Sequence, residues 1–226
     1  MDIGSFVLEA NGIRWAVDLG RDGYTLPRQH GLGDDLFLSA QESKRWAIFC
    51  NGSDSHNILR FNGSNQWVDG KAEITPAKAK TMSPGYKMDL SSVYADQMAA
   101  VHRGFHLRAD KCVLIQDEWQ SGPRGASVSW QMITYANVEL KKDEIVLTQS
   151  GETMRLLIVT DEVAHLSVQE VDGLLNVWDK LHPGLKRITI RLNTLPKGSA
   201  RLAIIADPSG KSEKIKPGAL VPLNEW

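Results

Sequence analysis

The sequence predicts an all-β fold: a large antiparallel β-sandwich built as one domain across residues 1–226. Three observations predict it. Strand-like apolar runs recur at regular spacing with polar turn clusters between them. Apolar and polar residues alternate in K-C-V-L-I-Q-D-E-W and R-I-T-I-R-L. Helical periodicity is scarce. Period-two strands broken by polar turns bury one face of each sheet against another sheet. All-β domains often reach this length as a single unit.

The first expected element is a hairpin. Runs at Ser5–Ala10 and Ile13–Asp18 flank Asn11-Gly12, and both turn residues tolerate positive φ. A Gly-, Asp- and Pro-rich loop spans Gly20–Asp35. It is long for a compact domain, which marks it as a candidate functional loop. One helical turn is expected within Asp35–Lys44. Strands are then expected at Arg45–Phe49, Asn57–Asn62, Gln66–Thr75, Tyr86–Tyr94 and Met98–Arg108. Further strands fall at Lys111–Trp119, Ser127–Ala136, Val138–Lys142, Glu144–Gln149 and Met154–Val159. The last are His165–Glu170, Arg187–Leu192 and Ser199–Ala206. Pro76–Pro84 reads as a polar, Lys-rich loop, and the Pro/Gly/Lys-rich tail after Asp207 as a surface segment.

Composition narrows the function. Lys and Arg total 26 against 27 Asp and Glu, so the basic stripe expected of a nucleic-acid binder is absent. No apolar run approaches the ~18 residues of a membrane span, and no signal peptide is visible. The two cysteines, Cys50 and Cys112, form neither a disulfide framework nor a zinc-finger spacing. They read as buried apolar residues, with pairing left open.

Asp18 closes an apolar strand, and His56 precedes another in S-D-S-H-N-I-L-R-F-N-G. Singly, each has an ordinary reading: a strand-end carboxylate accepting from the next turn, and a partly buried imidazole bonded to backbone. Together they are two donors of the kind zinc takes, and a zinc site needs at least a third. No other histidine has ligand spacing. His102 and His106 share a strand face but stand roughly 13 Å apart along it. His30, His165 and His182 read as surface or loop residues. Trp15, Trp46, Trp119 and Trp130 lie in strand contexts and are expected in the core. Trp67 and Trp178 have polar neighbours, which leaves an exposed sugar platform open. The sequon matches at Asn51 and Asn62 read as turns.

These stretches carry a resemblance. M-D-I-G-S-F-V-L, R-W-A-V-D-L-G, R-W-A-I-F and S-H-N-I-L-R-F-N-G resemble the C-terminal β-sandwich domain of the heparinase II/III-like polysaccharide lyases. The likeness runs to about residue 206 and is looser in L-R-A-D-K-C-V-L-I-Q-D-E-W and V-L-T-Q-S-G. In that family a His-x-His pair precedes the segment that looks like Met1–Phe6. Its first histidine lies in the catalytic cleft and its second is a zinc ligand. The resemblance implies that Asp18 and His56 are the other protein ligands of that zinc. This sequence carries no His-x-His, so Met1 is expected to follow the point where that pair stands.

The resemblance also implies a chemistry: β-elimination of acidic, uronate-containing polysaccharides. A base removes the proton α to the uronate carboxylate, an acid protonates the leaving oxygen, and the carboxylate is neutralised. The family draws those groups largely from an N-terminal α/α-toroid, which these residues do not contain. The expectation is therefore a domain that contributes part of a substrate cleft and a metal half-site, inactive alone, with no catalytic residue of its own. Its partners are an acidic polysaccharide and the toroid, and its parent is periplasmic or secreted. Zinc belongs to the intact parent, with occupancy in this chain left open. Tyr24 and Arg28, in the loop after Asp18, are the expected substrate contacts: an aromatic face or hydroxyl for sugar, and a guanidinium for a carboxylate or sulfate. The alternative is a free-standing carbohydrate-binding module, which needs an exposed aromatic platform or a basic groove on one sheet. A structural domain with two covered faces is the third reading.

Overall fold

A computed structural model describes residues 1–77, 84–173, 175–211 and 220–226. Every strand pair in it is antiparallel. The chain opens with a hairpin, β1 (Leu8–Ala10) and β2 (Ile13–Ala16). Asn11 and Gly12 take φ of 54° and 74°, the left-handed pair that a two-residue turn requires.

The layer next in sequence is irregular. It holds α1 (Thr25–Gln29), the only α-helix among the described residues, and 3₁₀ turns at Gly33–Phe37, Lys44–Ala47 and Ser53–Ser55. Strands follow as β3 (Leu59–Phe61), β4 (Ile74–Pro76), β5 (Gly85–Asp89), β6 (Met98–Leu107) and β7 (Val113–Ser121). Then come β8 (Ala126–Thr134), β9 (Asn137–Lys141), β10 (Glu144–Gln149) and β11 (Glu152–Thr160). The last are β12 (His165–Glu170), β13 (Lys186–Thr194) and β14 (Ser199–Asp207).

Two sheets pack face to face. One has eight strands in the order β4-β5-β6-β7-β14-β11-β10-β9, and the other has four in the order β12-β13-β8-β3. The alternating residues do the packing. Val128, Trp130 and Met132 of β8 and Ile188, Ile190 and Leu192 of β13 point inward. They meet Val101, Ile115, Ile145, Leu156, Leu202 and Ile204 from the larger sheet in one apolar cluster. Fully burying a side chain of that size contributes about 1.5–3 kcal/mol, so the paired inner faces dominate the fold.

One inward cross-strand pair is charged. Arg103 of β6 and Asp117 of β7 are wholly buried, with Arg103 Nε and Nη2 donating to Asp117 Oδ1 and Oδ2 at 2.7 and 2.9 Å. Arg103 Nη1 also donates to the carbonyls of Gly4 and Asn57 at 2.7 and 2.8 Å. One guanidinium thus ties the large sheet to the chain start and to the residue after His56.

Several sequence expectations need correction. Arg45–Phe49 is no strand: Ser43 Oγ accepts from Arg45 N, opening a 3₁₀ turn. Ile48 and Phe49 are buried in two small satellite clusters, not in a sheet. Apolar content here reports burial under a loop. Of Gln66–Thr75 only Ile74 and Thr75 enter a strand, because Trp67 and Val68 bond to Val93 O and Gln41 Oε1 instead. Tyr86–Tyr94 ends its strand at Asp89 and closes in a 3₁₀ turn, Ser91–Tyr94. The Pro76–Pro84 loop lies largely outside the described residues, as does the tail from 212 to 219.

The end of the tail is not a free surface segment. Leu223 and Trp226 are buried against Cys112, Leu114, Ala203 and Ile205 on the outer face of the large sheet. Gly104 makes room for them: a Cβ there would stand 2.5 Å from Leu223 Cδ2 and 2.7 Å from the Trp226 ring.

Candidate functional site

The site begins where the hairpin runs out. After β2, Val17 N donates to Ile133 O at the end of β8, so Asp18 emerges next to the end of that strand. His56 arrives at the same place from the 3₁₀ turn Ser53–Ser55. Gln131 Nε2 holds that turn by donating to Ser53 O and His56 O at 2.6 and 2.8 Å. Asn57 locks both approaches. Its Nδ2 donates to Phe6 O and Val17 O at 2.6 and 2.8 Å, and its Oδ1 accepts from Ile133 N at 2.7 Å.

Asp18 and His56 converge, with His56 Nδ1 and Asp18 Oδ2 3.0 Å apart. Asp18 Oδ2 also accepts from Ser5 Oγ, and Oδ1 from Gly20 N, both at 2.9 Å. Ser5 Oγ in turn accepts from Asn57 N. Burial pushes the Asp18 carboxyl upward, but the His56, Gly20 and Ser5 donors outweigh it and hold it at about 2. The metal-free chain should therefore carry a pH-dependent increment at this site. The folded value lies below the unfolded ~3.9, so the unfolded chain binds more protons between them. Roughly 2 kcal/mol is present above pH 4 and lost as pH falls toward 2. Urea midpoints of wild type and Asp18→Asn across that window check this; the variant curve is expected to be flatter.

In a tetrahedral zinc shell, an imidazole nitrogen and a carboxylate oxygen stand roughly 3.3 Å apart, close to the spacing seen. The pair thus fits two corners. Among the described residues no third histidine, cysteine or carboxylate joins it. Among the described residues, Asp18 and His56 form a hydrogen-bonded imidazole–carboxylate pair.

His56 lines a cleft of about 390 Å³ with Met1, Asp2, Gly20, Arg21, Arg45, Trp46, Cys50 and Asn51. Trp46 is half-exposed here, not in the core as expected. The Arg45 guanidinium lies 4.6 Å from the Trp46 ring and 5.8 Å from the Tyr24 ring. Tyr24 meets Phe37 edge-on at 5.4 Å, and Arg28 lies 5.9 Å from Phe37. Trp46, Arg45, Tyr24, Phe37 and Arg28 therefore form one contact ladder leading out of the cleft. Arg45 Nε is buried and finds no acceptor among the described residues.

Tyr24 and Arg28 do not reach the Asp18–His56 pair directly. They line a neighbouring depression with Thr25, Gln29 and Phe37, and Tyr24 also packs against Leu32, Leu36 and Ile48. Arg45 is the link that the sequence reading missed; the adjacent Arg and Trp of R-W-A-I-F were its only trace. Trp178 packs in the same apolar cluster as Tyr24, so it is no free platform, whereas Trp67 is 38 % exposed. Both cysteines are free and buried. His182 is not a plain loop residue: its Nε2 lies 3.3 Å from Cys50 Sγ.

Two other depressions differ in charge. One, about 610 Å³, lies beside β5, β6 and β7 and is lined by Glu73, Asp89 and Glu118. Its basic member Lys87 is occupied by Leu223 O and Trp226 O. A polyanion is repelled there. The other, on the outer face of the small sheet, contains Arg60, Arg187, Arg191, Ser129 and Thr189 and has no acidic lining residue. Arg60 and Arg191 flank Ser129 in one cross-strand row, roughly 10 Å apart at the backbone. Asp54 pairs with Arg60 and Arg187 from the side.

The sequence matches no protein-family profile and no curated protein. Solved structures do match. A heparinase III structure superposes with a TM-score of 0.69 at 16% identity, covering 97% of this chain and 32% of its own. A heparan sulfate lyase HepC mutant from Pedobacter heparinus gives 0.65 at 17%, covering 92% and 30%. A heparinase III with methylated lysines gives 0.64 at 16%, covering 93% and 30%. The chain thus has the fold of one part of these lyases and spans about a third of their length.

Proposed function

We propose that this chain is the β-sandwich portion of a polysaccharide lyase that degrades acidic, uronate-containing polysaccharides by β-elimination. Its part is to hold the polyanion along one wall of the cleft. The observation that carries this reading is the ladder Trp46–Arg45–Tyr24–Phe37–Arg28 running out of the Asp18–His56 cleft. Aromatic faces suit sugar rings, and guanidinium forks suit carboxylates and sulfates. Arg21 adds positive charge at the cleft rim.

In this reading the acid and base of the elimination come from a helical toroid that works with the sandwich, and the chain alone is inactive. Asp18 and His56 would hold a structural zinc with a third donor supplied at the Met1 side of the cleft, where Met1 and His56 are neighbours. Zinc there supplies rigidity to the cleft wall. The working compartment is periplasmic or secreted, where such polymers are met.

A second reading has its own observation: the acid-free groove at Arg60, Arg187 and Arg191 is the basic sheet surface that a free-standing carbohydrate-binding module requires. Binding of a size-defined heparan sulfate oligosaccharide separates the two. A hydrogen bond from a charged donor contributes ~1.5–3 kcal/mol, so Arg45→Gln should weaken affinity about tenfold or more. Arg191→Gln should leave it nearly unchanged. The reverse pattern, measured by calorimetry at fixed salt, supports the second reading, and no binding by wild type rejects both. The chain alone should yield no unsaturated uronate product.

A further inference from the structure

The described residues bring together one set of three metal-donor side chains, and it is not the pair discussed above. Asp22, Cys50 and His182 place a carboxylate oxygen, a sulfur and an imidazole nitrogen within 4.8 Å of one another. They come from three separate segments: the loop after β2, the turn after the Lys44–Ala47 3₁₀ segment, and the β12–β13 connection. Cys50 and His182 are 132 positions apart, yet their Sγ and Nε2 atoms stand 3.3 Å from each other.

We infer that Asp22, Cys50 and His182 form a binding site for a zinc-class divalent ion, with its fourth coordination position open to the Arg45–Trp46 cleft. Neighbouring ligands around tetrahedral zinc stand roughly 3.3–3.6 Å apart when thiolate, imidazole and carboxylate are mixed. The Cys50–His182 separation already matches. Asp22 lies within 4.8 Å of both, a gap that a side-chain torsion can close. A carboxylate, a thiolate and an imidazole are the donors zinc selects over magnesium or calcium.

One further observation points the same way. Asp22 Oδ2 is shielded from solvent and meets no N–H or O–H donor among the described residues; the Cys50 thiol beside this carboxylate is only a weak donor. A buried carboxylate oxygen without a donor is costly unless something positive meets it.

The thiol is otherwise inert. Burial raises its pKa first, and the Asp22 and Asp179 carboxylates raise it further, with Lys180 opposing weakly. Without a cation, Cys50 stays protonated and makes a poor nucleophile. That argues against a cysteine–histidine catalytic pair. On metal binding the Cys50 S–H proton leaves to solvent and the thiolate becomes the ligand. Asp179 supports the wall from behind, accepting from Phe49 N and Asn176 N at 2.9 Å. Cys50 lines the cleft, so the site is reached from it. Three protein ligands and one open corner is the arrangement in which zinc keeps a water or takes a ligand.

Cobalt(II) titration of the reduced, chelator-stripped chain tests this. A bound Co²⁺ at this site should give a thiolate-to-metal charge-transfer band at one equivalent and intense tetrahedral d–d absorption. Cys50→Ser, nearly isosteric, should abolish the charge-transfer band while far-ultraviolet circular dichroism stays unchanged. His182→Ala and Asp22→Asn should each weaken zinc binding by more than ~100-fold, since even outer supporting partners of a metal site are worth 10–100-fold. Asp18→Asn and His56→Ala should leave the band in place. No charge-transfer band in the wild-type chain, or a band that survives Cys50→Ser or depends on His56, overturns the assignment.

Discussion

Arg103→Leu is expected to destabilise the fold by about 3–5 kcal/mol, the range seen when one partner of a buried ion pair is removed. The substitution leaves the Asp117 carboxylate at the centre of the sandwich with no cation. It also strips the Gly4 and Asn57 carbonyls of their shared donor. Burial works against the charge on Arg103, and the Asp117 carboxylate outweighs it and raises the guanidinium pKa. At Asp117 the balance is reversed: burial outweighs Arg103 and raises the carboxyl, so the pair holds at neutral pH and acid attacks it through the carboxylate. Urea unfolding should show the loss as a lower midpoint at similar slope. Arg103→Leu combined with Asp117→Leu should recover a large part of it, because the uncompensated charge is then gone. A single-variant loss below about 1 kcal/mol would mean that the guanidinium is not the tie between the large sheet and the site.

Asn57→Ala is expected to cost about 3 kcal/mol or more, since each buried group left unsatisfied costs ~1–3 kcal/mol. Phe6 O, Val17 O and Ile133 N all lose their partner at once. The consequence is local as well as global. Asn57 sets the distance between the strand carrying Asp18 and the turn carrying His56. Native-state hydrogen exchange at the Ile133 amide should accelerate in proportion to the loss in stability. At the site, the Asp18–His56 contact should loosen, and the acid-limb increment assigned to Asp18 should shrink. A variant that unfolds like wild type would show that Asn57 is not the anchor.

Much of the sandwich was legible because its strands obey one rule. In β13, inward Ile188, Ile190 and Leu192 alternate with outward Arg187, Thr189 and Arg191. The Asn11-Gly12 turn was legible from its φ requirement alone. Outside the Asn57–Asn62 strand, residues 20–77 were far less legible, because their apolar side chains are buried by loops. Ile48 packs on Leu32 and Leu36, and Phe49 packs on Val17 and Leu185. Neither set has a period. Asp117 was hidden for another reason: its inward position follows the alternation, and only Arg103 on the neighbouring strand makes a carboxylate tolerable there.

The Asp18–His56 meeting was legible through a resemblance, not through spacing. The two lie 38 positions apart with nothing local to join them. The ladder was lost when R-W-A-I-F was read as a strand, since a strand sends Arg45 and Trp46 to opposite faces. The 3₁₀ turn instead stacks one on the other. Cys50 and His182 left no trace in the sequence, because two donors in separate loops meet only after the sandwich has folded.

The most direct measurement is a nuclear magnetic resonance titration of the labelled chain with a short uronate-containing heparan sulfate oligosaccharide, followed at backbone amides, arginine Nε–H groups and tryptophan indoles. Shifts concentrated on Arg21, Arg45, Trp46 and Tyr24 are the predicted result. Shifts confined to Arg60, Arg187 and Arg191, or spread with no saturation, would contradict the placement of the polysaccharide in the Asp18–His56 cleft.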